Sequence, residues 1–353
     1  MTHKERGLAP FLRKGMDRFP MWYGAARETT ENVRKAAGAA TDNEALYGLI
    51  DLDFKSVQAR YNGPPLERFE DGTWMNEWGV KRGGVYYGMA LSHPLAGAET
   101  VAEVKAYKGA DPSWYDVSIP PAMQADVKDY CTIGGYWSPV FHDSEELMGL
   151  EEFFVNMYSN EKVVEAIIEK CFAFYYELNR RAFEASPGAI DVFWTSNDFG
   201  SQRSLLISPE MWRKFFKPPL AKLMEQAKKY GCVTVIHSCG DIHEIIGDLI
   251  DIGVDAINPI QVGAENMDPV KLVEQFKDHC VFFGGIDENH ILKFGTQKQV
   301  RDETRRIIDT LGKYGRYIVA ASHDVLLPEV PAENILAMYD EAKKYPGIFN
   351  LKK

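Results

Sequence analysis

From about residue 130 onward the chain alternates short apolar runs with amphipathic stretches, and this rhythm limits the folds open to it more than any other feature. Brief runs rich in β-branched and aromatic residues, bounded by polar punctuation, read as strands buried on both faces. They stand at 131–134, 191–195, 233–237, 256–258, 281–284 and 317–321. Between them, 209–230, 241–252, 269–278 and 297–314 carry the spacing of helices that pack one face on a sheet. Ser208-Pro209-Glu210 is a helix start, with serine as N-cap and proline in the first turn. Pro331 likewise opens a last helix over 332–345. Two upstream runs, 19–23 and 53–57, raise the strand count to eight.

Eight parallel βα units are what an α/β fold of the (β/α)8 TIM barrel type requires. An open doubly wound sheet is the alternative, but no glycine-rich phosphate loop follows any of these strands. The segment 63–95 breaks the rhythm with Pro64-Pro65, Trp74, Trp78 and Tyr86-Tyr87, and reads as a hairpin-like insertion folding over the barrel mouth. The expectation is therefore one barrel domain over 1–353, with an N-terminal extension and this insertion.

Charge and cysteine usage narrow the function. A net charge of −11, with no long basic block, argues against nucleic acid or an anionic membrane as partner. Residues 1–13 are charged and lack the apolar centre of a signal peptide, and no run approaches the roughly 20 apolar residues of a membrane span. Five scattered cysteines, an odd number, fit reduced thiols better than a disulfide frame. A cytoplasmic enzyme is the expectation.

In such a barrel, chemistry collects at the C-terminal ends of the strands. The run Val233-Thr234-Val235-Ile236-His237-Ser238-Cys239-Gly240 ends in an imidazole and a thiol two residues apart, hence on one face of an extended chain. These are two of the ligand types zinc prefers. The other strand ends supply Asn197 and Asp198, Asn258 and Gln261, Asp287, and then His323 and Asp324. A catalytic zinc usually has three protein ligands, so a third is sought on another strand end. His323 is the first candidate and Asp198 the second, whereas Asp198, Asp287 and Asp324 are candidates for orienting ligands or relaying protons. Tyr136, Trp137, Trp194 and Phe199 fall near strand ends and would serve as walls for a flat apolar substrate or as core. Asn258 and Gln261 join them as candidate substrate contacts. Asp241-Ile242-His243 with Gly247 nearly spells a corrinoid-binding motif, but the glycine is one residue late; a capping Asp and a solvent-facing His is the plainer reading. His93, His142, His279 and His290 are expected at the surface.

Several segments together resemble the uroporphyrinogen decarboxylase superfamily: VIHSCGD at 235–241, GVDAINPIQ at 253–261, GGID at 284–287, FGT at 294–296, LISPEMWRKFFKPPLAKL at 206–223 and SHDVLLPEVPAENILAMY at 322–339. The resemblance spans about residues 18–338 and implies a (β/α)8 barrel. One arm of that superfamily decarboxylates a polycarboxylate tetrapyrrole without a cofactor. The other comprises zinc-dependent methyltransferases that exchange methyl groups between small molecules and a corrinoid protein, including enzymes that demethylate methoxylated aromatics. The methyltransferase zinc pair, H-x-C, falls on His237 and Cys239, and the third ligand of that arm, a Cys, falls on His323. The decarboxylases also carry a histidine at that place, so His323 separates neither arm. Their arginine-rich segment is reduced here to Tyr23-Gly24-Ala25-Ala26-Arg27, and their pyrrole-gripping aspartate has only Asp53 nearby.

The resemblance thus implies a zinc-dependent methyltransferase. It would work on a small methylated substrate, a methoxylated aromatic being favoured by the aromatics near the mouth. The corrinoid (cobalamin) would come from a separate corrinoid protein. The rival readings are a metal-independent decarboxylase and a non-catalytic corrinoid- or zinc-binding barrel.

Overall fold

The computed structural model describes residues 1–39, 43–85, 88–119 and 121–347. The apolar runs become seven parallel strands: β1 (Phe54–Ser56), β2 (Cys131–Gly134), β3 (Val192–Ser196), β4 (Val233–His237), β5 (Ala256–Asn258), β6 (Val281–Phe283) and β7 (Tyr317–Ile318). They pair in chain order. The eighth, expected over 19–23, survives as a single parallel bridge between Met21 and Val319. Pro20 has no N–H to give a ladder, which keeps the pairing short. The segment nevertheless closes the ring. Trp22 N–H donates to Val319 C=O (3.1 Å), Val319 N–H to Pro20 C=O (2.8 Å), and Asp53 N–H to Met21 C=O (3.1 Å), linking the β7 side to β1. The structure is a (β/α)8-type barrel.

Alternation along each strand sends one set of side chains inward. Phe54, Ile133, Val192, Trp194, Val235, Ala256, Val281, Phe283 and Ile318 form a core inside the barrel, distinct from the larger one under the helices. Trp194 stacks on Trp22 (centroids 5.4 Å) and meets Phe283 edge-on (5.5 Å), so the interior is packed solid below the mouth.

The N-terminal ends of the strands carry a repeated device. Aspartates just before β1, β3 and β5 accept the backbone N–H of the preceding strand. Asp53 takes that of Met21 (2.8 Å), Asp191 that of Thr132 (3.0 Å) and Asp255 that of Thr234 (2.9 Å). Asp53 also binds Arg6 (2.8 Å), Arg18 (2.6 Å) and His3 (3.1 Å), all without exposure of its own side chain. Asp53 is therefore at the barrel floor, far in the fold from any place where it would grip substrate.

Two expectations are corrected and one is refined. The helix expected over 209–230 is two, Pro209–Phe215 and Lys217–Lys229, because Pro218-Pro219 removes two backbone donors and disfavours helical geometry before it. The helix expected from 241 starts at His243. Asp241 is buried and accepts from His243 N–H (3.2 Å) and Asn266 Nδ2 (2.6 Å), while His243 pairs with Gln275 (2.9 Å).

The insertion is a three-stranded antiparallel meander, Trp74–Met75, Lys81–Gly83 and Met89–Ala90. Asn76 Oδ1 accepts from Trp78 and Val80 N–H (3.1 and 2.9 Å), with Gly79 at φ +73°, which makes its first turn. Trp78, fully buried, packs edge-on against Phe174 (5.1 Å) of the long helix Glu161–Ala185 and anchors the unit. Tyr86 and Tyr87 lie outside the described residues. Among the described residues all five cysteines are free, and no helix is long and apolar enough to cross a membrane.

Candidate metal centre

β4 ends at His237, and its neighbour β5 ends at Asn258, opposite it in register. That register sets Asn258 Oδ1 2.8 Å from His237 Nδ1. An amide oxygen only accepts, so Nδ1 carries a proton and Nε2 is the ring nitrogen turned to the mouth. Nε2 lies 3.5 Å from Cys239 Sγ and 3.3 Å from Asp198 Oδ1. One donor atom from each of Asp198, His237 and Cys239 falls within 4.8 Å of the other two. Gly240 then turns the chain at φ +83°, where a Cβ would stand 2.4 Å from the Gly200 carbonyl carbon. Only glycine permits this approach of the β3 and β4 loops.

Asp198 is the hinge of the cluster. Its Oδ1 accepts from Cys239 N–H (2.7 Å), its Oδ2 is 3.5 Å from His142 Nε2, and its own N–H donates to that nitrogen (3.1 Å). Burial opposes its ionisation, yet His142 and His237 hold it well below the usual carboxylate range. For His237 the desolvation that favours the neutral ring is outweighed by Asp324, Cys239 and Asp198, which raise it well above an ordinary histidine. Burial likewise works against the Cys239 thiolate, but His237 and His323 bring the thiol below its usual value. Donors of negative charge thus converge on imidazoles in a half-closed site, and this donor set fits a divalent ion of borderline softness.

Asp198 and His237 of the cluster line a cavity of about 450 Å³, whose other walls include Trp137, Asp143, His323 and Asp324, with Arg82 of the insertion and Glu146. Arg82 and Glu146 form an ion pair there. Its size suits a small ligand.

The sequence-derived candidates divide. Asp198, His237, His323, Asp324 and Trp137 line this cavity, and Cys239 stands beside Asp198 and His237. His323 is not in the tight three-atom set. It interacts with the Cys239 sulfur, is raised to about 10 against the cost of its burial, and is tied by Nδ1 to Val325 C=O (2.9 Å). Asp324 stands 3.7 Å from His237 Nδ1 and 3.7 Å from His323 Nδ1.

Others are placed elsewhere. Asp287 caps the short helix Glu288–Leu292, accepting from His290 N–H (3.1 Å), and does not line the cavity. Phe199 is fully buried among Phe141, Trp212 and Phe216. Tyr136 shares hydrogen bonds with Glu77 (3.2 Å) and Tyr115 (3.0 Å) and does not line the cavity. Trp194 belongs to the barrel core, its ring 6.3 Å from that of His237. Asn258 orients His237 rather than facing the cavity, and Gln261 braces the loop by accepting from Gly240 N–H (2.6 Å). Each sits where a polar or aromatic strand-end residue satisfies its neighbours first.

His142, expected at the surface, reaches Asp198, and Asp143, not singled out from the sequence, lines the cavity. The sequence sets His142 on a helix, where surface placement is the default; the structure puts it on Asp198. The adjacent pair His142-Asp143 in an otherwise apolar helix start, Val140-Phe141, was the available signal.

The family model described as uroporphyrinogen decarboxylase (URO-D) matches residues 129–345. The chain is 22% identical over 221 residues to the methylcobamide:CoM methyltransferase MtbA of Methanosarcina acetivorans, covering 62% of this chain and 59% of that protein. It is 22% identical over 218 residues to the protein of the same name from Methanosarcina mazei, with the same shares. The chain thus spans less than two thirds of the length of these curated relatives. A solved structure, a methyltransferase from Methanosarcina mazei, superposes with a TM-score of 0.63 at 17% identity, over 98% of this chain and 99% of that one. At that identity the likeness speaks for the shared fold.

Proposed function

The chain belongs to the uroporphyrinogen decarboxylase family, and from that membership and its mouth cluster we propose that it is a metal-dependent methyltransferase. In this reading it moves a methyl group between a small methylated compound and a corrinoid carried by a separate protein. The observation that carries the proposal is the convergence of Asp198, His237 and Cys239, with the His237 ring held at Nδ1 by Asn258 so that Nε2 is turned to the cluster. The similarity to methylcobamide:CoM methyltransferases supports the corrinoid partner.

Asp198, His237 and Cys239 would hold a zinc ion, with His323 beside the sulfur as a further donor. When bound, zinc supplies Lewis acidity to the oxygen or sulfur that carries or receives the methyl group. The chain's own residues prepare the place. Asn258 fixes the imidazole tautomer and ring plane, which is the usual task of a residue behind a metal-ligating histidine. His142 and the Cys239 N–H together hold the Asp198 carboxylate in its ionised form. Asp324 stabilises positive charge on His237 or His323. Trp137 offers an apolar wall suited to a flat donor such as a methoxylated aromatic. Arg82, the arginine of this lining, is engaged by Glu146, which leaves the cavity poorly suited to the polycarboxylate substrate of a decarboxylase. Five free cysteines, four of them buried, fit a reducing compartment, which we take to be the cytoplasm.

Metal analysis of the purified protein tests the site: one zinc per chain is expected, with loss of most of it in Cys239→Ser. Turnover tests the activity. Wild type incubated with methylated donors and cob(I)alamin should give the absorption change to methylcobalamin. A chain that binds zinc but gives no methyl transfer in either direction would be a storage or binding barrel, and a metal-free active chain would sink the centre.

A further inference from the structure

We propose that Asp143 is the catalytic acid that protonates the oxygen released when an O-methyl donor loses its methyl group in this cavity. The inference rests on the methyl-transfer reading above and adds to it a residue and a leaving-group class. Asp143 stands in the first turn of the helix Val140–Met148, and it lines the same cavity as Asp198, His237 and Trp137. Its Oδ2 accepts the hydroxyl proton of Tyr175, a fully buried residue of the helix Glu161–Ala185. Its Oδ1 has no hydrogen-bond partner among the described residues. Fixed through one oxygen, the carboxyl keeps the other for an occupant of the cavity.

The surroundings keep that carboxyl protonated. Burial is the main cause that pushes Asp143 up to about 8, and Glu77 of the insertion and Glu146 of its own helix act in the same sense. The Tyr175 hydrogen bond and His142 act against them. Cys171 and Tyr136, which also interact with Asp143, are raised by burial and stay neutral. The cationic Arg82 in this cavity is engaged by Glu146. A buried carboxylic acid that titrates near neutrality and lines the cavity has the properties of a general acid.

In the step inferred, the methyl carbon takes its new bond from the electron pair of a reduced cobalt(I) corrinoid on the partner. The C–O bond breaks and leaves both its electrons on oxygen, and the Asp143 proton moves to that oxygen to give R–OH. Cobalt is formally oxidised by two electrons and the methyl carbon formally reduced by two. The Asp143 carboxylate then takes a proton from solvent. An oxygen leaving group needs that proton, whereas a quaternary amine departs neutral without one, so Asp143 marks O-methyl donors.

Two measurements test this with Asp143→Asn and Tyr175→Phe. The first is an infrared difference spectrum, wild type minus Asp143→Asn, of the protein without donor or corrinoid. A protonated-carboxyl C=O band should persist to a midpoint near pH 8, and Tyr175→Phe should move the midpoint upward, because it removes a hydrogen bond that favours the ionised form. The second is methyl transfer to cob(I)alamin from a methoxyphenol and from a nitro-substituted anisole, whose leaving oxygen needs less help. Asp143→Asn should slow the methoxyphenol about a hundredfold and the nitroanisole less than about tenfold, the range expected of a positioned acid, with zinc content unchanged. A band already lost at pH 6, or equal losses on both donors, overturns the inference. If Asp143→Asn does not fold, the shifted midpoint and the shifted alkaline limb of the rate in Tyr175→Phe decide it, and their absence overturns it. A wild type that takes no methyl from any O-methyl donor overturns the reading beneath as well, whereas an active wild type with an undiminished Asp143→Asn overturns this step alone.

Discussion

At the N-terminal end of the strands, Asp53 is enclosed by Arg6, Arg18, His3 and the Met21 N–H, while at the C-terminal end Asp198, His237 and Cys239 crowd together beside His323 and Asp324. Both ends bury charge, and they do so to different effect. At the floor both Asp53 oxygens are met by donors, from the side chains of Arg6, Arg18 and His3 and from the Met21 N–H, so the cluster is closed and structural. At the mouth the supporting residues Asn258 and His142 satisfy the outer atoms, and three electron-pair donors are left aimed at one another. Such an arrangement costs stability unless a cation sits among the donors. The lesson is that burial of charge alone does not mark a site; the convergence of like-natured donor atoms does.

Variants can break or sharpen this contrast. The largest effect is expected from His237→Ala, which should cut methyl transfer about a thousandfold or more, since Lewis-acid assistance is worth several kcal/mol. Its thermal melting should stay near that of wild type, which a calorimeter can check beside the assay. At the floor the effect should invert. Asp53→Asn removes the buried charge that Arg6 and Arg18 share, leaving them only the more exposed Asp17 and Asp51, and should lower stability by about 3 kcal/mol in a urea titration, while the folded fraction keeps its zinc.

Asn258→Ala, which takes away the acceptor behind His237, should weaken zinc about 10- to 100-fold in a competition titration against a chelator. The two ends should also differ in their response to pH. Arg6 holds Asp17 at the floor well below the usual carboxylate range. That contribution is present above about pH 4, the unfolded value, and is lost as pH falls; Asp17→Asn should flatten the acid side of the stability curve, modestly because Asp17 is partly exposed. Asp143 at the mouth is raised to about 8, so its contribution is complete below about pH 4 and drains away as pH rises through 8. Asp143→Asn should therefore gain on wild type in metal-free melts between pH 5 and 9. The smallest effect should come from Asp287→Ala, which removes a helix cap at a cost of about 1 kcal/mol and leaves methyl transfer within about twofold, separating a rim residue from a site residue.

Much of the architecture was legible because strand burial leaves a mark in one dimension. The runs at 131–134 and 233–237 became strands with those bounds, and the 63–95 segment, expected as a hairpin-like insertion, holds a three-stranded meander. The strand at 19–23 shrank to one bridge because Pro20 cannot complete a ladder, and 209–230 broke at Pro218-Pro219. His237 and Cys239 were legible as a pair because the two-residue period of an extended chain is a local rule. Asp198 was legible only as the second candidate for a third donor, and the places of His142 and Asp143 were not legible, since each is set by a neighbour 30 or more residues away along the chain.

By itself, the sequence determined the βα rhythm, the family and an imidazole–thiol pair at a strand end, all of which follow from short-range periodicity and residue type. Only the tertiary structure decided which third donor joins that pair and which strand-end residues merely brace it. It also decided that a helix histidine belongs to the site. Those outcomes depend on barrel register and on loops brought within a few ångströms by packing, and no local pattern encodes such distances.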